Sequence, residues 1–252
     1  MRPATALHPA FLATGLGLAI LLSACSTAPQ PSPTSAPMRV GVTDLTATLL
    51  EDLSQANPSA APGAVLLPLP AARQDLAAGK LDFILTTDAS ATQPAVPLGY
   101  LEFVIVVNPA NSIRHLSLTD IQGLLTGRMR NWSLAGGAPG AVSVISRADD
   151  ADGYRAFCAV ALAGGAPSLG ALLAPNWEAM REAVSQDANA IGFLPVTELD
   201  ESVARVDSGA ELRVLIVAAL TQEPTGRARQ FLAWAQSEAG QQAVAIHYQP
   251  LK

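Results

Sequence analysis

Residues 39–58 read RVGVTDLTATLLEDLSQANP, and this stretch decides the architecture. Arg39 to Val42 predicts a short strand. Thr43 and Asp44 follow it, and their side chains can cap a helix by accepting from free backbone N–H groups. Leu45, Leu49 and Leu53 then recur four residues apart, which lays one apolar stripe along a helix until Asn57-Pro58 stops it. Strand, polar turn and helix make a βα unit, whose helix buries its stripe against a sheet.

The same grammar repeats outward. Ala64 to Leu67 predicts a second strand, Ala71 to Ala78 a short helix ended by Gly79, and Leu81 to Leu85 a third strand running into Thr86-Thr87-Asp88. Phe103 to Val107 is wholly apolar, as in a strand covered on both faces; Asn108-Pro109 breaks it, and a crossing between two domains is expected there. Ser117-x-x-Asp120 is a capping pattern ahead of Ile121, Leu124 and Leu125, with Gly127 past the end. Val142 to Ser146, Ala190 to Leu194 and Arg213 to Ala219 predict strands; Asp152 to Ala163 and Asn176 to Ser185 predict helices. Pro224 suits a first helical turn before the stripe Phe231, Leu232, Ala235, and Gly240 is expected to separate a last short helix ending near His247. The alternation predicts an α/β fold with largely parallel sheets.

Composition agrees with a folded chain and narrows its partners. Half of the 252 residues are hydrophobic and 14% are charged, which excludes the disordered and fibrous classes. The formal charge is -6, from 15 basic and 21 acidic residues, without a basic cluster; a nucleic acid backbone finds no footprint to follow. The two cysteines, Cys25 and Cys158, cannot build a disulfide framework and have no metal-ligand spacing.

The amino terminus reads as an address. Arg2 precedes an apolar run from Ala10 to Leu22, too short for a membrane span, and Leu22-Ser23-Ala24-Cys25 closes it. The closing four residues resemble the bacterial lipobox, which implies a signal peptide over 1–24, lipidation of Cys25 and an outward-facing, membrane-anchored protein. Residues 26–38, STAPQPSPTSAPM, hold four prolines and five hydroxyl residues. Residues 25–38 are therefore expected to form an extended tether of about 40 Å at most.

Other conspicuous residues carry no readable chemistry. His115 and His247 stand alone, Trp132, Trp177 and Trp234 suit packing, and Cys158 beside Phe157 suits a small buried hydrophobe. No nucleophile–base pair, phosphate loop or metalloprotease motif occurs. No enzyme activity, cofactor or metal site is expected.

The stretch Val106 to Gly137, VVNPANSIRHLSLTDIQGLLTGRMRNWSLAGG, resembles the phosphate-binding family of periplasmic solute-binding proteins that serve ABC importers. Three later segments agree in order: Ser146-Arg147-Ala148-Asp149, Asn189 to Pro195, and Phe231 to Gln242 with Tyr248-Gln249-Pro250-Leu251 closing. The resemblance implies a type II, two-lobed fold closing on a ligand, with lobe one as 39–105 plus 204–252 and lobe two as 106–203. It also implies a monomer that captures a small solute, phosphate or another oxyanion, and hands it to permease subunits. A repurposed envelope sensor or adaptor is the alternative reading.

Anions bind where helix amino termini and strand-end loops offer N–H and O–H donors. Thr43, Asp44, Thr86, Thr87 and Asp88 are the candidates of lobe one; Asp88 also fits an ordinary Asx-turn. For lobe two the resemblance implies Arg147 as the anion's cation, Asp149 as its orienting acid and Gly153 in the wrapping turn. That turn departs from the family pattern: Ala151 replaces a serine, Asp152 a glycine and Gly153 a threonine. Asp150 and Asp152 would either repel a bound anion or, with Asp152 as the cap, favour the following helix.

Overall fold

Val40 and Val42 lose nearly all contact with solvent because their strand is paired on both sides and their side chains join the core cluster that holds Leu49 and Leu53. In the computed structural model, which describes residues 37–251, this strand is β1 (Arg39–Val42). It pairs in parallel with β2 (Gly63–Leu66) and β3 (Phe83–Thr86). α1 (Ala47–Ala56) buries Leu49, Leu50 and Leu53, and α2 (Leu69–Ala77) buries Leu69, Ala72 and Leu76, the faces their spacing dictates. The signal peptide, the lipidation at Cys25 and nearly all of the tether lie outside the described residues. Met38, placed at the tether's end, is 4% exposed and belongs to the core, so the buried fold begins before β1.

β4 (Ala95–Val107) is longer than its apolar end predicted. Ala95 to Phe103 pairs antiparallel with β9 (Leu212–Ala219), and Phe103 to Val107 pairs antiparallel with β7 (Ala190–Pro195). Pro97 sits where the register shifts, which is how a strand accommodates a residue without an N–H. β7 pairs in parallel with β5 (Ser143–Ser146), and β5 with the two-residue β6 (Leu172–Leu173); β8 (Ala204–Val206) pairs with β4 off the main path. The sheet order is β2-β1-β3-β9-β4-β7-β5-β6. The expected parallel pairing therefore holds toward both ends, while the middle is antiparallel because β4 and β9 run through it in opposite directions.

α3 (Leu118–Leu125) begins as its capping pattern predicted: the Ser117 hydroxyl accepts from the Asp120 N–H at 3.1 Å. α5 (Trp177–Gln186) is capped likewise by Asn176, whose side chain accepts from the Ala179 N–H at 2.7 Å. α4 (Tyr154–Ala161) starts two residues later than expected, with Gly153 as its N-cap. α6 (Gly226–Ala235) buries Phe231, Leu232 and Ala235, with Pro224 lying ahead of it instead of in its first turn. Gly240 lies inside α7 (Glu238–Val244), not before it. A Cβ there would stand 2.3 Å from the Trp234 carbonyl oxygen and 2.5 Å from the Ala235 backbone, so the glycine permits close contact with the end of α6.

Phe103, Phe157, Trp177 and Phe193 form an aromatic knot where β4 and β7 meet α4 and α5. Phe157 and Phe193 stack with ring centroids 3.6 Å apart, and Phe103 meets both at steep angles. All four side chains are at most 2% exposed. No helix among the described residues is long and apolar enough to cross a membrane.

Candidate functional site

Buried polar side chains are costly unless paired, so their position marks where a fold invests in chemistry. Among the described residues, the buried polar and charged side chains are Thr43, Thr46, Asp52, Thr86, Asn108, Ser146, Arg147 and Asp152. Six of these eight, all but Asp52 and Asn108, stand at or beside one cleft at the ends of β1, β3 and β5. A hollow of about 380 Å³ opens there, lined by Thr43, Asp44, Arg147 and Asp152 with Leu67, Pro68 and Pro175 on its apolar side. Its walls follow the C-terminal ends of β1, β2, β5 and β6, where ligands bind in open α/β sheets. A larger hollow of about 470 Å³, bordered by Met129, Val142 and Leu172, holds none of those buried polar groups.

The Asp152 carboxylate is at the centre of the cleft. Thr43 Oγ1 donates to its Oδ2 at 2.8 Å. Thr86 Oγ1 and Thr87 Oγ1 each donate to its Oδ1 at 2.9 Å, the Thr87 N–H donates to it at 3.1 Å, and the Gly153 N–H at 2.9 Å. The threonines themselves are held in place: Thr46 Oγ1 accepts from the Thr43 N–H and donates to the Leu85 carbonyl, while Thr86 Oγ1 accepts from the Asp88 N–H. Burial pushes the Asp152 carboxyl above the ordinary value of 3.8, and the bonds from Thr43, Thr87 and Thr86 pull against that rise.

Arg147 is 5% exposed. Its Nη2 pairs with Asp44 Oδ2 at 2.9 Å, its guanidinium lies 4.3 Å from the Trp177 ring centroid, and its Nε and Nη1 are buried without hydrogen-bond partners. Asp149 is exposed, and the acid beside Arg147 is Asp44, 103 residues earlier in the chain. Asp88 faces two arginines instead of the hollow, with Arg73 at 3.2 Å and Arg155 at 3.8 Å. Gly153 has φ +84° and packs against Leu45 and Phe103.

Of the residues picked from the sequence, the structure thus brings Thr43, Asp44, Thr86, Thr87, Arg147 and Gly153 together and leaves Asp149 and Asp88 facing elsewhere. Asp152 is not the cap of α4, as one reading expected; Gly153 holds that position and Asp152 points across the cleft. Its role as shared acceptor was missed. The available signal was an acid inside the turn that would wrap an anion, but the partners lie 65 to 109 residues away and no local pattern reveals them. His247 and His115 lie outside the cleft lining, paired with Asp52 at 2.9 Å and Asp207 at 3.3 Å. No group of three or more His, Cys, Asp or Glu among the described residues could hold a metal.

A raised carboxyl pKa has a consequence for stability. The proton is held more tightly in the folded chain, so this group's contribution is fully present below pH 3.8 and is lost as pH rises through the folded value. Asp152→Asn, which has no proton to lose and keeps an acceptor oxygen, is expected to gain melting temperature relative to the parent as pH climbs from that point. Melting curves of both proteins across the acid-to-neutral range check this; a variant-minus-parent difference that stays constant or falls as pH rises contradicts it.

Strand-end loops converging on a cleft within a mixed sheet covered by helices define a two-lobed periplasmic-binding-protein fold of type II. The family model described as "PBP superfamily domain" matches residues 32–230, and the chain belongs to that superfamily. It is 24% identical over 152 residues to the phosphate-binding protein PstS of Bacillus subtilis (strain 168), covering 55% of this chain. The match spans about half, 50%, of that curated relative.

Two solved structures share the fold. One is a protein from Clostridium perfringens assigned as a phosphate ABC transporter substrate-binding protein, with phosphate bound: TM-score 0.74, 20% identity, 85% of this chain and 99% of that one. The other is an ABC-type phosphate transport receptor from Vibrio cholerae: TM-score 0.66, 18% identity, 85% and 100%. The resemblance noted in the sequence, and the two-lobed α/β fold it implied, are borne out.

Proposed function

We propose that this chain is an extracytoplasmic solute-binding lipoprotein of an ABC-type importer, anchored through Cys25 and the proline-rich tether that follows it, that takes a small solute between its lobes. The lobes in this reading are 39–105 plus 204–252 and 106–203. The observation that carries it is the convergence of Thr43, Thr86 and Thr87 from one side, and of Arg147 from the other, on one cleft. The named functions of the relatives, phosphate binding and phosphate transport, support the same class.

Calorimetric titration of the full chain with phosphate, sulfate, small carboxylates and zwitterions tests the reading. Heat from at least one solute is expected, and Cys25→Ala is expected to move the protein from the membrane fraction to the soluble one. Silence across the panel would reject it.

A second reading, a family member that no longer carries solute and serves as an envelope sensor or adaptor, draws support from Asp152. The hydroxyl and backbone donors that Thr43, Thr86 and Thr87 would offer a phosphate are satisfied from within the chain. Capture of the lipid-anchored chain with a partner other than a permease, together with a silent panel, is the outcome expected of that role.

A further inference from the structure

We propose that Asp152 is a resident anion: its carboxylate fills the donor set that a free tetrahedral oxyanion would need, and this one side chain determines which solutes the cleft refuses. The inference rests on the cleft being the solute site and goes beyond that reading by naming the residue that sets its selectivity.

Three observations converge. First, the occupancy is complete at the polar wall. Three hydroxyls and two backbone N–H groups, from Thr43, Thr86, Thr87 and Gly153, all end on one carboxylate at 2.8 to 3.1 Å. A small anion entering here finds these five donors taken unless Asp152 leaves. Because the carboxylate is part of the chain, it competes at an effective concentration far above that of a dissolved ion.

Second, the cation of the site is also committed. Arg147 holds Asp44 at 2.9 Å, and its two unpartnered nitrogens, Nε and Nη1, are closed off beside Trp177. Two acids, Asp44 and Asp152, thus take the positions against donors and guanidinium that a ligand's negative charge would take. A free oxyanion beside them meets like charge in a partly desolvated cleft, where repulsion is stronger than in water.

Third, Asp152 precedes α4, whereas its partners lie at the ends of β1 and β3. The same bonds that block the anion therefore tie the two sides of the cleft together without a solute. The cleft retains room beside this knot, about 380 Å³ with an apolar flank at Leu67, Pro68 and Pro175.

The test compares the parent chain with Asp152→Gly, Asp152→Ala and Asp152→Asn. Binding of inorganic phosphate and of sulfate is measured by calorimetry, and exchange of the Thr87 and Gly153 amides by NMR. The parent is expected to give no heat at millimolar anion and to protect both amides in its absence. The glycine and alanine variants are expected to expose the two amides and to bind an oxyanion more than about tenfold tighter than the parent, restoring their protection. Asp152→Asn, which still fills the space, is expected to stay silent.

Parent and glycine variant binding phosphate equally overturns the proposal while leaving the solute-binding reading intact. Exposed amides with no anion binding in either small variant also overturn it, and the wider solute panel then judges the cleft separately. Should both small variants fail to fold, the parent decides alone. Amide protection indifferent to phosphate supports the resident anion, and protection that changes with phosphate overturns it.

Discussion

Gly153→Ala is expected to lower the unfolding free energy by about 2–5 kcal/mol, measured by urea denaturation followed through tryptophan fluorescence. Two costs add. Gly153 holds φ +84°, where an L-residue is disfavoured by about 1–2 kcal/mol. A Cβ would also stand 2.8 Å from Leu45 Cδ2 and 3.0 Å from Phe103 Cζ, and overpacking of this kind costs about 1–3 kcal/mol. Both neighbours are buried, Leu45 at 2% and Phe103 at 1% exposed, so neither can swing into solvent. The substitution also disturbs the N–H that Gly153 donates to Asp152, so the loss should extend to the cleft. A loss below about 1 kcal/mol, the middle of the range for ordinary substitutions, would show that the turn relaxes freely.

Phe193→Ala should cost about 3–5 kcal/mol, the range for deleting a large buried aromatic side chain. Phe193 is fully buried and touches Phe103, Phe157 and Trp177 at once. Those rings come from β4, α4 and α5, and α4 follows directly on the turn that holds Asp152. Trp177 also supports the Arg147 guanidinium from 4.3 Å. Denaturant unfolding gives the free energy, and near-ultraviolet circular dichroism reports whether the knot loosens before the whole chain unfolds. A cost under about 2 kcal/mol would mean that the neighbouring rings collapse into the space.

Much of the fold was legible because local rules and tertiary need agreed. Leu49 and Leu53 are spaced for one face of α1 and are buried; Leu45, also buried, stands ahead of the helix, whose N-cap is Thr46 and not Thr43 or Asp44 as expected. Ser117 and Asn176 cap the helices they precede. The failures occur where long-range packing overrides a local cue. Gly240 breaks helices in isolation, yet it sits inside α7 because the close approach to α6 leaves no room for a side chain. The strand expected over Phe103–Val107 begins at Ala95, because pairing with β9 carries β4 through Pro97 at a register shift.

The candidate site divides in the same way. Threonines after β1 and β3, and an arginine after β5, could be picked out because strand-end loops are where α/β sheets bind ligands. The partner of each could not be. Asp149 lies two residues from Arg147, but the guanidinium reaches Asp44 across the cleft, and Asp88 is drawn to Arg73 and Arg155.

By itself the sequence determined the βα units, their apolar faces and the superfamily, since those follow from spacing, capping and letter order along neighbouring residues. Only the tertiary structure decided where the acid of the altered turn points. Asp152 could cap its own helix or accept from threonines 65 to 109 residues earlier in the chain. The folded chain chooses the second because burial demands partners for a carboxylate, and only the assembled cleft gathers five donors in one place.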